Sequence, residues 1–202
     1  MAQKTDIINH LAKKNNGSRY LEIGIGIGRN FESVCVPLKV GVDPKWSPSV
    51  SHVMTSDEFF SQNKNYFDII FIDGLHHAEQ VYGDIINSLK FLNLGGYIVC
   101  HDMNPSREGT QIIPREESEN PIRGAWHGDC WKAFVKLRAE RDDLLMRTLN
   151  TASGCAIIER APSIKLTGPL ELTWSNFISN KAAWLNLISP EEFFEIYNLK
   201  PS

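Results

Sequence analysis

The sequence predicts an α/β protein built on a doubly wound, mainly parallel sheet, and three observations carry that expectation. Short apolar runs alternate with stretches of helical period along most of the chain. Two of those runs, "FDIIFID" and "GYIVC", are apolar on both faces, as strands are when helices cover a parallel sheet on each side. A glycine-rich turn, "GIGIG", directly follows the first such run, "RYLEI". With 202 residues, 42% of them apolar, the chain can bury one full core and a modest appendage.

The elements follow in order. "TDIINHLAKK" is a polar-flanked amphipathic helix, "RYLEIG" the first strand, and "KVGVD" a second strand that ends at Asp43. "SDEFF" opens a short helix, "FDIIFID" is a central strand, and "HAEQVYGDIINSLKFL" is a long helix. "NLGG" is expected to cap that helix through a left-handed glycine before the strand "YIVCHD". Residues 103–126, rich in proline, glycine and charge and without a period, form a long loop leaving the carboxyl end of a central strand; it is either a lid or disordered. "DCWKAFVKLRAER" reads as a helix, and "DLLMRTLN" and "GCAIIER", separated by "TASG", as an antiparallel hairpin that completes a seven-stranded sheet, counting the third strand position just ahead of "TSDEFF". Residues 1–160 make the main domain. Residues 161–202 form short helical pieces whose Trp174, Phe177, Trp184, Phe193 and Phe194 cover the same domain or a partner subunit, which leaves a homodimer open.

Composition narrows the function. A net charge of −3 offers no basic footprint for a phosphate backbone, so nucleic acid is not expected as a partner. No run approaches the roughly 18 apolar residues of a membrane span, and the N-terminus lacks the apolar centre of a signal peptide. A soluble, cytoplasmic protein is expected. Its four cysteines, Cys35, Cys100, Cys130 and Cys155, are scattered without a CxxC pair, which favours buried free thiols over a disulfide framework.

The glycine turn is where chemistry enters. Backbone without Cβ lets a ligand approach closely at a strand end, as nucleotide cofactors require. Glu22 stands two places ahead of Gly24, with Gly26 and Gly28 following at alternate positions. A carboxylate beside that turn repels a pyrophosphate but welcomes an ammonium and a sulfonium. The third glycine also comes one place early for GxGxxG, which disfavours a nicotinamide-dependent oxidoreductase, the main enzymatic alternative. A non-catalytic cofactor-binding protein is the other.

An acid followed by GxGxG resembles the first motif of class I S-adenosylmethionine-dependent methyltransferases. The resemblance continues through residues 18–160. It implies that residues 1–160 bind S-adenosylmethionine, with Glu22, Gly24 and Gly26 at the cofactor, Asp73 beside where the methyl group would sit, Asp43 on the ribose hydroxyls, and Ser56 and Asp57 at the adenine. Ser56 can equally serve as a helix N-cap, with Asp57 favouring the helix dipole. "FIDGLHHAEQVYGDIINSLKFLNLGGYIVCHD" is similar to a small-molecule branch with DGxHxYExV, a later D, and GGxxxxHD. Asp73, Gly74, His76, Glu79, Val81, Asp84, His101 and Asp102 fall on that pattern, whereas Ala78 replaces the usual tyrosine and Leu75 a frequent acid.

The resemblance implies methyl transfer to a small hydroxylated acceptor such as a sugar or natural-product intermediate. Candidate bases are His76, His101 and then Asp102, since histidine changes charge near neutrality. His77 is expected to be structural, and His127 to join the pocket if the long loop folds over it. Some relatives that methylate sugars or catechols bind magnesium at these strand ends. Asp73 and Asp102 can supply oxygen ligands to a divalent metal, but the nitrogen of His101 suits a softer ion, so the metal stays open.

Overall fold

The computed structural model describes residues 3–112, 126–151, 153–168 and 170–198. An N-terminal helix, α1 (Lys4–Asn15), precedes alternating strands and helices: β1 (Arg19–Ile23), α2 (Arg29–Ser33), β2 (Leu38–Asp43), β3 (His52–Val53), α3 (Ser56–Gln62), β4 (Phe67–Ile72), α4 (Ala78–Phe91) and β5 (Leu92–Cys100). Then come α5 (Cys130–Glu140), β6 (Leu144–Leu149), β7 (Cys155–Arg160), α6 (Trp174–Leu185), β8 (Leu187–Ile188) and α7 (Pro190–Ile196). One mixed sheet runs β3-β2-β1-β4-β5-β7-β6-β8, and only β7 pairs antiparallel to its neighbours.

Strand alternation divides the core between the two faces of the sheet. Leu21, Ile23, Ile70, Ile72, Ile98 and Cys100 pack against α3, α4, α5 and α6. Tyr20, Ile69, Phe71, Tyr97 and Val99 pack on the other face against α1, α2 and α7. The crossover at β1, which has β2 on one side and β4 on the other, opens a crevice at the carboxyl ends of these parallel strands. Every candidate site residue after Glu22 lies at or just beyond one of those ends or on the first turn of the following helix.

Three expectations change. The sheet has eight strands among the described residues instead of seven, because β8 pairs with β6 and continues the sheet past the hairpin. The glycines of "NLGG" do not cap α4: that helix ends at an extended Leu92, and Gly95, at φ +74°, turns the chain within β5. Cys35 is exposed, while the other three cysteines are buried and all four are free. The C-terminal aromatics are largely spent inside the fold. Phe177 and Trp184 pack on Trp131, Phe193 is fully buried, and the Tyr197 carbonyl contacts His10 on α1 at 2.7 Å. That weakens the aromatic argument for a dimer surface. No helix among the described residues is long and apolar enough to cross a membrane.

Candidate active site

The crevice is a cleft of about 490 Å³ lined by the glycine turn, the end of β2, the start of α3 and the segment after β4. Gly24, at φ +86°, is required by close approach as well as by its dihedral, since a Cβ there would lie 2.1 Å from the Asp73 carbonyl oxygen. Asp43 closes the turn: its Oδ2 accepts from the amides of Ile25 at 2.9 Å and Gly26 at 3.0 Å, and its Oδ1 from that of Lys45 at 2.7 Å. Ser56 and Asp57 line the cleft. The N-cap of α3 is Thr55, which forms a capping box with Glu58, so Ser56 is released from that duty and accepts from Gln80 Nε2 at 3.1 Å.

Glu22 departs from expectation. Alternation places it on the same face of β1 as Tyr20, toward α1 and α2, and it does not line the cleft. Tyr20 Oη donates to its Oε2 at 2.5 Å and Asn30 Nδ2 at 3.0 Å, while Thr5 Oγ1 on α1 donates to Asn30 Oδ1 at 2.8 Å. Burial pushes the Glu22 carboxyl up to about 7 against those hydrogen bonds. Through these bonds Glu22 is held beneath the glycine turn.

Beside the cleft, two carboxylates and two imidazoles alternate in a ring. Asp73 Oδ1 is 3.4 Å from His76 Nε2 and 3.3 Å from His101 Nδ1. Asp102 Oδ2 is 3.4 Å and 3.2 Å from the same two nitrogens. Asp102 holds φ +59°, which swings its carboxylate back toward β4. His127 Nε2 joins at 3.8 Å from Asp102 Oδ1. Burial alone would raise Asp73, but hydrogen bonds from His101 and His76 and the charge of Lys4 hold it well below the usual carboxylate range. Burial likewise opposes a charged His101, yet Asp102 and Asp73 push it up to about 9; His76 is raised for the same reason.

Several members of this arrangement have no signal in the local sequence. Lys4 Nζ on α1 donates to Asp73 Oδ2 at 2.6 Å. Trp126 lines the cleft, lies 5.1 Å ring to ring from His76, and offers its carbonyl 3.2 Å from His76 Nδ1. Gly128, at φ +59°, passes so close to β4's outgoing chain that a Cβ would lie 1.7 Å from the His76 carbonyl oxygen. Asp129 then caps α4 from outside, accepting from the Ala78 amide at 2.7 Å. His77 is the N-cap residue of α4 without a capping bond from its own side chain. The expected lid falls mostly on residues 113–125, outside the described residues.

Asp73, His76 and Asp102 bring ligand atoms within 4.8 Å of one another. An oxygen-only magnesium site does not fit them: imidazole nitrogens stand among the carboxylates, and the second oxygen of Asp73 already holds the Lys4 ammonium.

Residues 39–103 match the family model described as a methyltransferase domain. That match spans about a third of the chain. Three solved structures share its fold. An O-methyltransferase of Bacillus cereus in complex with S-adenosylhomocysteine aligns with TM-score 0.55 and 17% identity over 79% of this chain and 82% of that one. TomG of Streptomyces achromogenes, involved in tomaymycin synthesis and in complex with S-adenosylmethionine, aligns with TM-score 0.58 and 17% identity over 80% and 81%. A putative O-methyltransferase of Klebsiella pneumoniae gives 0.57 and 15% over 80% and 81%. A shorter sequence match, 42% identical over 50 residues, is to an uncharacterised protein of Acanthamoeba polyphaga mimivirus; it spans 25% of this chain and 23% of that relative. The methyltransferase family model ends at residue 103, just past His101 and Asp102, so it covers the ring except for His127.

Proposed function

We propose that this methyltransferase domain moves the methyl group of S-adenosylmethionine to a hydroxyl oxygen of a small acceptor such as a sugar or natural-product intermediate. The observation that carries the reading is the juxtaposition of the cleft with the Asp73, His76, Asp102 and His101 ring at adjoining strand ends. Asp43, Ser56 and Asp57 lie along the wall where a ribose and an adenine would rest, with Gly24, Gly26 and Asp73 toward the reacting end. The amides of Ile25 and Gly26, which a dinucleotide would need for its pyrophosphate, are taken by Asp43.

His76 is the assigned base. With Nδ1 donating to the Trp126 carbonyl, the ring offers a lone pair at Nε2 once it has released the proton that Nε2 shares with Asp73 and Asp102. In the transfer the acceptor hydroxyl gives its proton to Nε2, its oxygen bonds to the methyl carbon, and the carbon–sulfur bond breaks to leave S-adenosylhomocysteine. His101, protonated at neutral pH, and Asp102 hold the acceptor and balance the charge that develops on its oxygen. The buried free thiols suit a reducing, cytoplasmic setting.

Calorimetric titration with S-adenosylmethionine, S-adenosylhomocysteine and NADH tests the cofactor. Binding of both sulfur ligands, weakened about 10- to 100-fold in Asp43→Ala as expected for losing hydrogen bonds to a charged group, supports the reading. NADH binding in their place overturns it. With an acceptor in hand, His76→Gln is expected to lose about 10²- to 10⁴-fold in kcat while still binding S-adenosylhomocysteine.

A further inference from the structure

Asp73 and Asp102 stand as two acids would to share a divalent ion, and with His76 they bring ligand atoms within 4.8 Å of one another. The chain itself fills their oxygens. Asp73 Oδ1 faces His76 Nε2 and His101 Nδ1 at 3.4 and 3.3 Å, Asp102 Oδ2 faces the same nitrogens at 3.4 and 3.2 Å, and Asp102 Oδ1 lies 3.8 Å from His127 Nε2. The fourth oxygen, Asp73 Oδ2, takes the Lys4 ammonium at 2.6 Å, the shortest of these contacts. Lys4 comes from the first turn of α1, outside the lining of the cleft.

Its seat suits an ammonium better than a hydrated metal ion. Besides Asp73, Nζ has the Phe71 ring centroid at 5.5 Å, and a ring face attracts a cation without offering the oxygen ligands that a hard ion requires. A divalent ion on Asp73 would also share that carboxylate with a fixed positive charge, in a buried setting where like charges repel strongly. The helix is fastened in place: Thr5 Oγ1 donates to Asn30 Oδ1 at 2.8 Å and Asn9 Nδ2 to the Ser33 carbonyl at 3.2 Å, so α1 holds on to α2 and keeps Lys4 where it is.

We propose that Lys4 stands in for a divalent ion at this acid pair, giving Asp73 the fixed positive charge that a metal would bring, so that methyl transfer here needs no metal. What the cation position serves rests on the methyltransferase reading above; that Lys4 fills it does not. Lys4 is a positioning residue. It acts through Asp73, whose other oxygen it leaves facing His76 and His101.

The test titrates the full chain, stripped with EDTA, and its Lys4→Met and Lys4→Arg variants with Mn²⁺ by electron paramagnetic resonance and with Zn²⁺ by calorimetry. The parent and Lys4→Arg are expected to take up neither ion at about 0.1 mM, whereas Lys4→Met, which keeps the length of the side chain and loses its charge, binds Mn²⁺ at least about 10-fold more tightly than the parent. Adding Asp73→Asn to Lys4→Met should abolish that gain. A parent that binds either ion tightly, and loses it in Asp73→Asn, overturns the assignment. So does a folded Lys4→Met that gains no metal, since Lys4 is then only a structural partner of Asp73. S-adenosylhomocysteine titrated into the same stripped samples tests the cofactor reading separately: a parent that fails to bind it, beside a Lys4→Met variant that gains Mn²⁺, counts against that reading and leaves Lys4 in the cation position.

Discussion

The half of the site at the ends of β1 and β2 is made mostly of backbone, and the half at the ends of β4 and β5 is made of side chains. In the first, Gly24 lets two chain segments touch and Asp43 fastens the turn through three amides. In the second, four side chains from two strand ends hold one another by charge, and the return of the chain at Trp126–Asp129 packs over them. Two buried acids mark the difference. Glu22 meets neutral donors and is pushed up to about 7, while Asp73 meets Lys4 and two histidines and stays ionised. The charge-built half depends on the protonation of its members.

The largest expected effect comes where the two halves meet the rest of the chain. Gly128→Ala puts a methyl group on the His76 backbone and Gly24→Ala puts one on that of Asp73, so both should lose cofactor binding and melt far below the parent. Gly26→Ala shares the left-handed backbone, at φ +51°, but meets no atom within 4 Å. It should cost only about 1–2 kcal/mol, or a few degrees in Tm. Equal melting of the three variants by scanning calorimetry would mean that dihedral strain, and not close approach, governs these turns.

A smaller effect separates the halves by pH. The folded pKa of His101, about 9, lies above the unfolded value of about 6.5, so its ion pairs stabilise fully below pH 6.5 and their contribution is lost as pH rises through about 9. Tm should fall across that window, and His101→Gln should flatten the fall. An unchanged slope in the variant would remove His101 from the charge balance.

The smallest concerns a carboxylate behind the cleft. Asp84 is buried, accepts from Gln80 Nε2 at 3.1 Å, and is pushed up to about 6 by desolvation. Because its charged form is penalised in the fold, stability is lost as pH rises from about 3.9 through 6, and Asp84→Asn should recover about 1 kcal/mol, about 2–4 °C, at pH 8. A loss of stability instead would show that the ionised acid orders Gln80 and Ser56.

Much of the backbone-built half was legible in order along the chain. Strand period, glycine spacing and Asp43 are local patterns, and they placed the turn and the end of β2 where the structure has them. His76, His101 and Asp102 were legible for a related reason: each follows directly on a central strand or its outgoing loop, and parallel strands bring their carboxyl ends together. The direction of Glu22 was not legible, since alternation says that it shares a face with Tyr20 without saying which face looks onto the cleft. Nor was the capping of α4, because the sequence near Ala78 offers no cap and the carboxylate arrives from Asp129, 51 residues on.

By itself, then, the sequence determined the layered sheet, the glycine turn and the histidine–aspartate pairs, because each depends on residues a few positions apart. Tertiary structure alone decided that Lys4 meets Asp73 across 69 residues, that Gly128 lets the chain pass over His76, and that β8 closes on β6. Those are long-range contacts. They form only once both faces of the sheet are buried, and no local period or propensity encodes which distant segments that burial brings together.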